Sequence, residues 1–508
     1  MLKLISWRLV VTLSIPVLLL PLPLLWTTQA AKCLYVLILM GSYWLGELLP
    51  IPVTSLIPVI LFPTLGIMTS AEVSMFYMKS ACMLFIGGLM VAIGIEHSNL
   101  HRRVGLKVLL WVGSSARLVL LGFMIPTAFL SMWISNTAST AMMIPILEAV
   151  LVELGPEHRT MMMLAICFSA NIGGTATLIG TPPNLIMYEY INKYPGHPVT
   201  FGSWMVLCLP LMLINLLVCW LWLQLLYLPL PWLRSRPEPQ SAPLETNREE
   251  NVRKLLESRY SELGLMTRHE KTVLVMFLTL VLLWTSRSPG FAPGWEIFFA
   301  PGVSDAVPVM AISLLMFVIP VKEDGGTMLT WSLVQSKLSW GVIILLGGGF
   351  ALAEGAERSC LTSWAGDQLA RLSFLSPRVL QVICCCLVSA ITQVASNVAT
   401  SSMILPVLVQ LATELSINPL YLMIPATIVS SLAFLLPVST GPNAIVHAAS
   451  GMKATEMMKS GAVLTILTMM TTIGAVLSLG QEVFSLAEYP AWAPPANSSD
   501  VSSHRRCY

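Results

Sequence analysis

Charge is what this chain has least of: Asp, Glu, Lys and Arg make up 11% of its 508 residues, against roughly 25% in soluble globular proteins. The deficit is not local, because long apolar runs recur from end to end and 56% of the residues are hydrophobic. Lipid is the solvent that suits such a chain. The net charge is +2 and no long basic stripe is present, so nothing points to a nucleic-acid partner. The ten cysteines lack the paired spacing of zinc sites or of a secreted disulfide framework. Most lie inside apolar runs (Cys167, Cys208, Cys219 and the run Cys384 to Cys386) and read as small buried hydrophobes. An HExxH helix, a GxSxG elbow and paired intramembrane aspartates are all missing, which leaves little room for a membrane enzyme.

What is there is a series of apolar segments of spanning length, each needing about 20 residues. Leu9–Trp26, Cys33–Leu48, Val53–Ile67, Trp204–Leu226, Val273–Trp284, Ala306–Pro320 and Gly461–Leu479 are the clear candidates. The first has the basic start of a signal peptide. Its apolar length, and the span that follows almost at once, favour a retained helix. Pro231–Lys271 is the one sizeable polar segment and is rich in Arg and Lys. Together with Lys3 and Arg8 it puts the N-terminus and this linker in the cytoplasm. Asn497-Ser498-Ser499 is a glycosylation sequon; used at Asn497, it would place the C-terminal tail outside.

Two regions, about Leu84–Ile191 and Val342–Ser450, are too long for single spans and are broken by Gly, Pro, Ser, Thr and Asn clusters. They are copies. At an offset of 261 residues Gly87 and Gly88 meet Gly348 and Gly349, Glu96 meets Glu357 and Arg117 meets Arg378. Ser135, Asn136 and Pro145 likewise meet Ser396, Asn397 and Pro406. Each copy then carries a second break, Gly180-Thr181-Pro182-Pro183-Asn184 and Ser439-Thr440-Gly441-Pro442-Asn443. Interrupted segments in corresponding positions of two halves point to a transporter site near the bilayer midplane. The span count between the copies favours inverted repeats. Carbonyls freed at such breaks, with Ser, Thr and Asn oxygens, suit a small hard cation, while helix N-termini attract an anion. Neither first break carries a formal charge, so the anion would be held by neutral donors beside bound cations.

At these residues the chain resembles the divalent-anion:sodium symporters (solute carrier family 13 type), which include sodium-dependent dicarboxylate, citrate and sulfate cotransporters. The resemblance rests on LSMWISNTASTAMMIPI and VASNVATSSMILPV, with the companions IGGTATLIGTPPNLI and LLPVSTGPNAIV, and runs from about Leu18 to Pro490. It implies an all-α polytopic membrane protein of about eleven spans plus two re-entrant hairpins, near 115–153 and 376–415. Transport regions would cover 81–200 and 341–450. Scaffold helices would cover 1–80, 201–230 and 272–340, with a cytoplasmic linker at 231–271, a last helix at 451–482 and an extracellular tail at 483–508. The resemblance also implies a homodimer in the plasma membrane whose transport domains move as elevators, carrying Na+ with succinate, citrate or related carboxylates.

By position, one sodium site would use Ser131, Ser135, Asn136 and Gly180, and the other Thr392, Ala395, Asn397 and Ser439. Substrate would lie on Ser135, Asn136, Thr137, Thr181, Ser396, Asn397, Val398 and Thr440. Val398 has no hydroxyl, so the two tips are not equivalent. The chain departs from the family pattern at Gln393, where glutamate is usual, and at Gly441, where proline is usual. The first removes a charge beside the second sodium site, and the second would loosen a loop. A sulfate carrier of the same family and an anion channel are the rival readings.

Four features remain open to two readings. Glu96 and Glu357 are intramembrane carboxylates with a function, or interfacial ion pairs repeated with the fold. His97, His101, Arg102 and Arg103 read as a solvated helix end rather than a metal or proton-relay cluster. Gly347-Gly348-Gly349 fits close helix packing better than a phosphate loop. Met161-Met162-Met163 is lipid-facing or packed filler.

Overall fold

The computed structural model describes residues 7–113, 115–194, 196–228, 242–288, 293–299, 302–321, 326–361, 364 and 375–493. Among them regular structure is helical, apart from one isolated bridge between Pro320 and Thr327. In lipid every backbone polar group must be satisfied within its own segment, which is why apolar runs of this length fold as helices. Seven described helices are long and apolar enough to cross a membrane, and five shorter apolar helices accompany them.

The first half contains α1 (Trp7–Leu25), α2 (Gln29–Gly46), α3 (Ile51–Thr64), α4 (Ser80–His97) and α5 (Leu100–Val112). They are followed by α6 (Ala116–Ser131), α7 (Asn136–Leu154), α8 (Arg159–Gly174), α9 (Pro182–Ile191) and α10 (Phe201–Tyr227). The linker contributes α11 (Ala242–Ser261). The second half comprises α12 (Arg268–Arg287), α13 (Ala306–Val318), α14 (Trp340–Arg358), α15 (Pro377–Thr392) and α16 (Asn397–Glu414). It closes with α17 (Pro419–Ser431), α18 (Gly441–Ser450) and α19 (Ala454–Leu477).

The 261-residue register of the sequence reappears in these bounds. Both α6 and α15 are capped by a serine, Ser115 and Ser376, that accepts from the backbone three residues on. Each has 16 residues, too few for a perpendicular span of about 20. Each is joined through four residues, 132–135 and 393–396, to a longer helix. Prolines inside α7 and α16, Pro145 and Pro406, fall at matching positions; proline removes a ladder hydrogen bond and bends a helix.

Packing interlocks the halves. Helix α8 lies against α6 and α7, and α17 against α15 and α16. The short helices cross over: α18 packs on α7 and α8, while α9 packs on α16 and α17. Each half's second break is thus held against the other half's helix pair.

Glycine permits the tightest approaches. A Cβ at Gly348 would stand 2.4 Å from the Ser55 carbonyl oxygen, and one at Gly347 would stand 2.4 Å from the Tyr77 ring. The Gly347–Gly349 run is therefore a packing device. Met161, Met162 and Met163 are buried filler rather than lipid-facing. Glu96 pairs with Lys337 at 2.5 Å and Glu357 with Lys193 at 3.0 Å, which is the ion-pair alternative for these two carboxylates.

The segment after Glu96 is a solvated helix end in part: His97 and Arg102 are exposed. His101 and Arg103 are buried. Arg103 pairs with Glu270 at 2.8 Å and donates to the carbonyls of Leu263, Gly264 and Leu265. It pins the turn between α11 and α12 onto α5. The partner of Arg103 lies 167 residues downstream, a distance at which sequence pattern is silent.

Candidate functional site

Four helix N-termini meet at one cavity of about 620 Å³. They belong to α7, α9, α16 and α18, and their N-cap residues are Ser135, Thr181, Ser396 and Thr440. All four caps line the cavity, as do Asn136, Thr137, Asn397 and Val398. The eight residues expected to hold substrate are thus brought to one wall system. Each N-terminus carries roughly half a positive charge from unpaired N–H groups, so four supply nominally about +2. Of the lining residues Glu47 alone carries a formal charge. A dianion in this cavity would face helix ends, amides and hydroxyls, with no Lys, Arg or His against it.

The caps are not equally committed. Ser135 accepts from the Ala138 N–H at 3.2 Å and Thr440 from the Asn443 N–H at 3.4 Å. Thr181 and Ser396 make no capping bond, which leaves their hydroxyls available to a ligand. Val398 adds an apolar patch.

Behind the first tip lies a cluster of oxygens. Ser131 donates to the Asn136 side-chain oxygen and, at 2.8 Å, to the Ala170 carbonyl. A Cβ at Gly174 would stand 2.6 Å from Asn136 Oδ1 and 3.1 Å from the Gly180 carbonyl oxygen, and one at Gly180 would stand 2.5 Å from the Gly174 oxygen. Only residues without a side chain let these carbonyls crowd the asparagine. Asn184 holds the break open by donating to the carbonyls of Thr177 and Gly174 at 2.8 and 3.3 Å.

The second half repeats the pattern with different atoms. Thr392 donates to Asn397 Oδ1 at 2.8 Å and to the Ser430 carbonyl at 2.5 Å. Asn443 donates to the carbonyls of Ala433 and Leu436 and to the Ser439 hydroxyl, at 3.0 to 3.1 Å. Ser439 lines the cavity, whereas Ser131, Thr392 and Ala395 are buried behind it. Clusters of neutral oxygens are what a hard monovalent cation prefers.

Both departures have structural partners. Gln393 accepts from the Phe434 and Leu435 N–H groups, each at 3.0 Å, and donates to the Leu432 carbonyl at 3.3 Å. Its amide closes the end of α17; a carboxylate could accept the first two bonds but could not donate the third. At Gly441 a Cβ would stand 2.3 Å from Thr137 Oγ1. Glycine there serves close approach between the second break and the first tip, rather than a loosened loop.

Three contributors escaped sequence reading. Gly174 was hidden among equivalent-looking glycines. Asn171 of α8 lines the cavity and crosses to the other half, donating to Thr440 Oγ1 at 3.2 Å and to Asn443 Oδ1 at 3.3 Å. The second breaks are related by 259 residues rather than 261, so the register that exposed the first-tip residues does not carry over to it. Trp133 is buried in the first tip, stacked on Phe201 and Trp284 and edge-on to Phe277.

Comparison with known proteins follows the same residues. The family model described as the sodium:sulfate symporter transmembrane region matches residues 2–486. Solute carrier family 13 member 2 of Rattus norvegicus is 41% identical over 555 residues, covering 95% of this chain and 94% of the relative. The Na(+)/citrate cotransporter of the same species is 38% identical, over 94% of this chain and 95% of its own length. The Na(+)/dicarboxylate cotransporter 3 of Mus musculus is 36% identical, over 96% and 94%.

Proposed function

The chain belongs to the sodium-coupled divalent-anion symporter family, and from that premise we infer that it is a secondary transporter carrying di- and tricarboxylates together with Na+. Succinate, citrate and related intermediates are the substrates that its relatives' names favour. The observation that carries the reading is the meeting of four helix N-termini on one cavity backed by two neutral oxygen clusters. The helix ends attract a dianion through partial charges, which salt and water screen; cations in the adjacent clusters supply formal counter-charge. Anion affinity then depends on sodium, which is what coupling requires.

In this reading Ser131, Ser135, Asn136 and the Gly180 carbonyl hold one sodium ion. Thr392, Asn397 and the Ala395 and Ser439 backbone hold the other. The carboxylates lie on Ser135, Asn136, Thr137, Thr181, Ser396, Asn397 and Thr440, with Val398 against the carbon chain. The transport regions, 81–200 and 341–450, move as one domain against a scaffold built from the remaining helices. A homodimer in the plasma membrane, with the N-terminus cytoplasmic, the tail extracellular and Asn497 glycosylated, completes the picture; Asn497 lies outside the described residues.

Uptake of labelled succinate into cells expressing the chain, in sodium and in choline medium, tests this. Saturable uptake in sodium alone, blocked by citrate and not by sulfate, is the expected result. Sulfate uptake without succinate uptake would assign the chain to the sulfate carriers instead.

A further inference from the structure

Between Glu96 and Glu148 the chain contains no Asp or Glu, yet it carries Arg102, Arg103, Lys107 and Arg117. Arg103 is spent on Glu270. Lys107 and Arg117 are exposed, and among the described residues neither pairs with a carboxylate. The linker beside them differs, since its Arg253, Lys254 and Arg259 pair with Glu257, Glu250 and Glu262. Lys107 instead lies 5.4 Å from the ring centre of Trp111, which is 76% exposed. Helix α5, which carries both, has 13 residues, too few to span, and buries Leu106 and Leu109 on its inner side. That is the form of a helix lying in a membrane interface.

The depth of this face is fixed by α10. Trp220 donates its indole N–H to the Arg117 carbonyl at 3.1 Å, and Trp222 donates to the Ser460 carbonyl at 2.9 Å, beside exposed Lys459. Lys453 and Lys459 outnumber Glu456 at this start of α19. Leu217, Leu221 and Leu225 of α10 are exposed and meet hydrocarbon in a spanning helix. The helix ends at Tyr227, so the two indoles stand about 8–11 Å inside its end at 1.5 Å per residue. Tryptophan gathers at that level of a bilayer. Cations held there without protein counter-charge meet lipid phosphate.

We propose that the face formed by Lys107, Trp111, Arg117 and Lys459 binds acidic phospholipid, its headgroup against the cations and its acyl chains along α10. A zwitterionic headgroup brings its own cation and gains less here. Arg103 fastens α5 to the linker turn, so the face lies on the linker's side of the membrane. In the orientation proposed above this is the cytoplasmic leaflet, which carries phosphatidylserine; the naming of the leaflet rests on that reading, and the binding does not. Helix α5 packs along α6, which leads into the first tip, so the lipid holds that helix pair at the membrane surface.

The test is native mass spectrometry of the purified full-length protein, titrated with phosphatidylserine or with phosphatidylcholine of the same acyl chains. The unaltered protein should retain phosphatidylserine in preference. Lys107→Gln with Arg117→Gln should weaken that retention about fivefold for each cation removed, with phosphatidylcholine retention and melting temperature unchanged. Arg253→Gln, which removes a charge already paired with Glu257, should leave it as it was. Equal retention of the two lipids, or an unaffected double variant, overturns the proposal. So does an equal loss in Arg253→Gln, which would trace the effect to net charge. Displacement of the lipid by glycerophosphoserine, which has no acyl chains, overturns it in favour of a soluble anion. Should the double variant not fold, Lys107→Gln and Arg117→Gln decide singly. The measurement uses no transport, so a failure of succinate uptake would count against the transporter reading alone.

Discussion

At the scale of residues, the site works by crowding neutral oxygens where side chains would ordinarily stand. Gly174→Ala puts a methyl 2.6 Å from Asn136 Oδ1. Its expected effect is loss of sodium-dependent uptake, at least tenfold, with surface expression kept; uptake beside surface biotinylation checks both. Asn136→Ala and Asn397→Ala should behave alike, because each asparagine oxygen is shared with the hydroxyl five residues before it. Unchanged uptake in both asparagine variants would remove the site assignment. Gln393→Glu is the opposite experiment. It brings a charge toward the second oxygen cluster and strips the Leu432 carbonyl of its donor. The concentration of sodium at half-maximal uptake should fall severalfold, while thermal stability drops by about 1 kcal/mol. Most of these residues were legible because they recur in register and carry oxygen. Asn171 and Gly174 were not, since they lie between the two breaks, where the offset passes from 261 to 259 residues and the register assigns them no partner.

At the scale of elements, the apolar runs located helices but not their ends: Gly461–Leu479 and Val273–Trp284 mark helices that run Ala454–Leu477 and Arg268–Arg287. The hairpin expectation at 115–153 and 376–415 came from the family resemblance, and helix pairs stand at Ala116–Leu154 and Pro377–Glu414. What remained hidden was long-range pairing. Arg103 and Glu270 are almost fully withdrawn from solvent, and a buried pair loses about 3–5 kcal/mol when one partner goes. Arg103→Met should therefore lower the melting temperature of the detergent-solubilised protein. Adding Glu270→Gln should recover part of the loss, because the stranded carboxylate is the larger cost. Recovery of nothing would mean that the carbonyls of residues 263–265, not the ion pair, carry the docking of the linker turn.

At the scale of the molecule, the crossing of α9 and α18 into opposite halves makes the site a joint product of both copies. No single copy could build it: tip and break from one repeat meet tip and break from the other. On the function proposed above, movement of that joint unit opens the cavity to one side of the membrane at a time. Val438 lines the cavity and is 73% exposed. A cysteine placed there, in a background lacking the exposed Cys386, should react with an impermeant thiol reagent and be protected by sodium and succinate together. The central claim, coupling of a dianion to sodium through neutral ligands, is tested most directly by purified protein in liposomes with an inward sodium gradient. The account predicts that labelled succinate accumulates above its equilibrium level, and that a sodium ionophore collapses the excess. Uptake that merely equilibrates, with or without sodium, would contradict it and leave a passive anion pathway in its place.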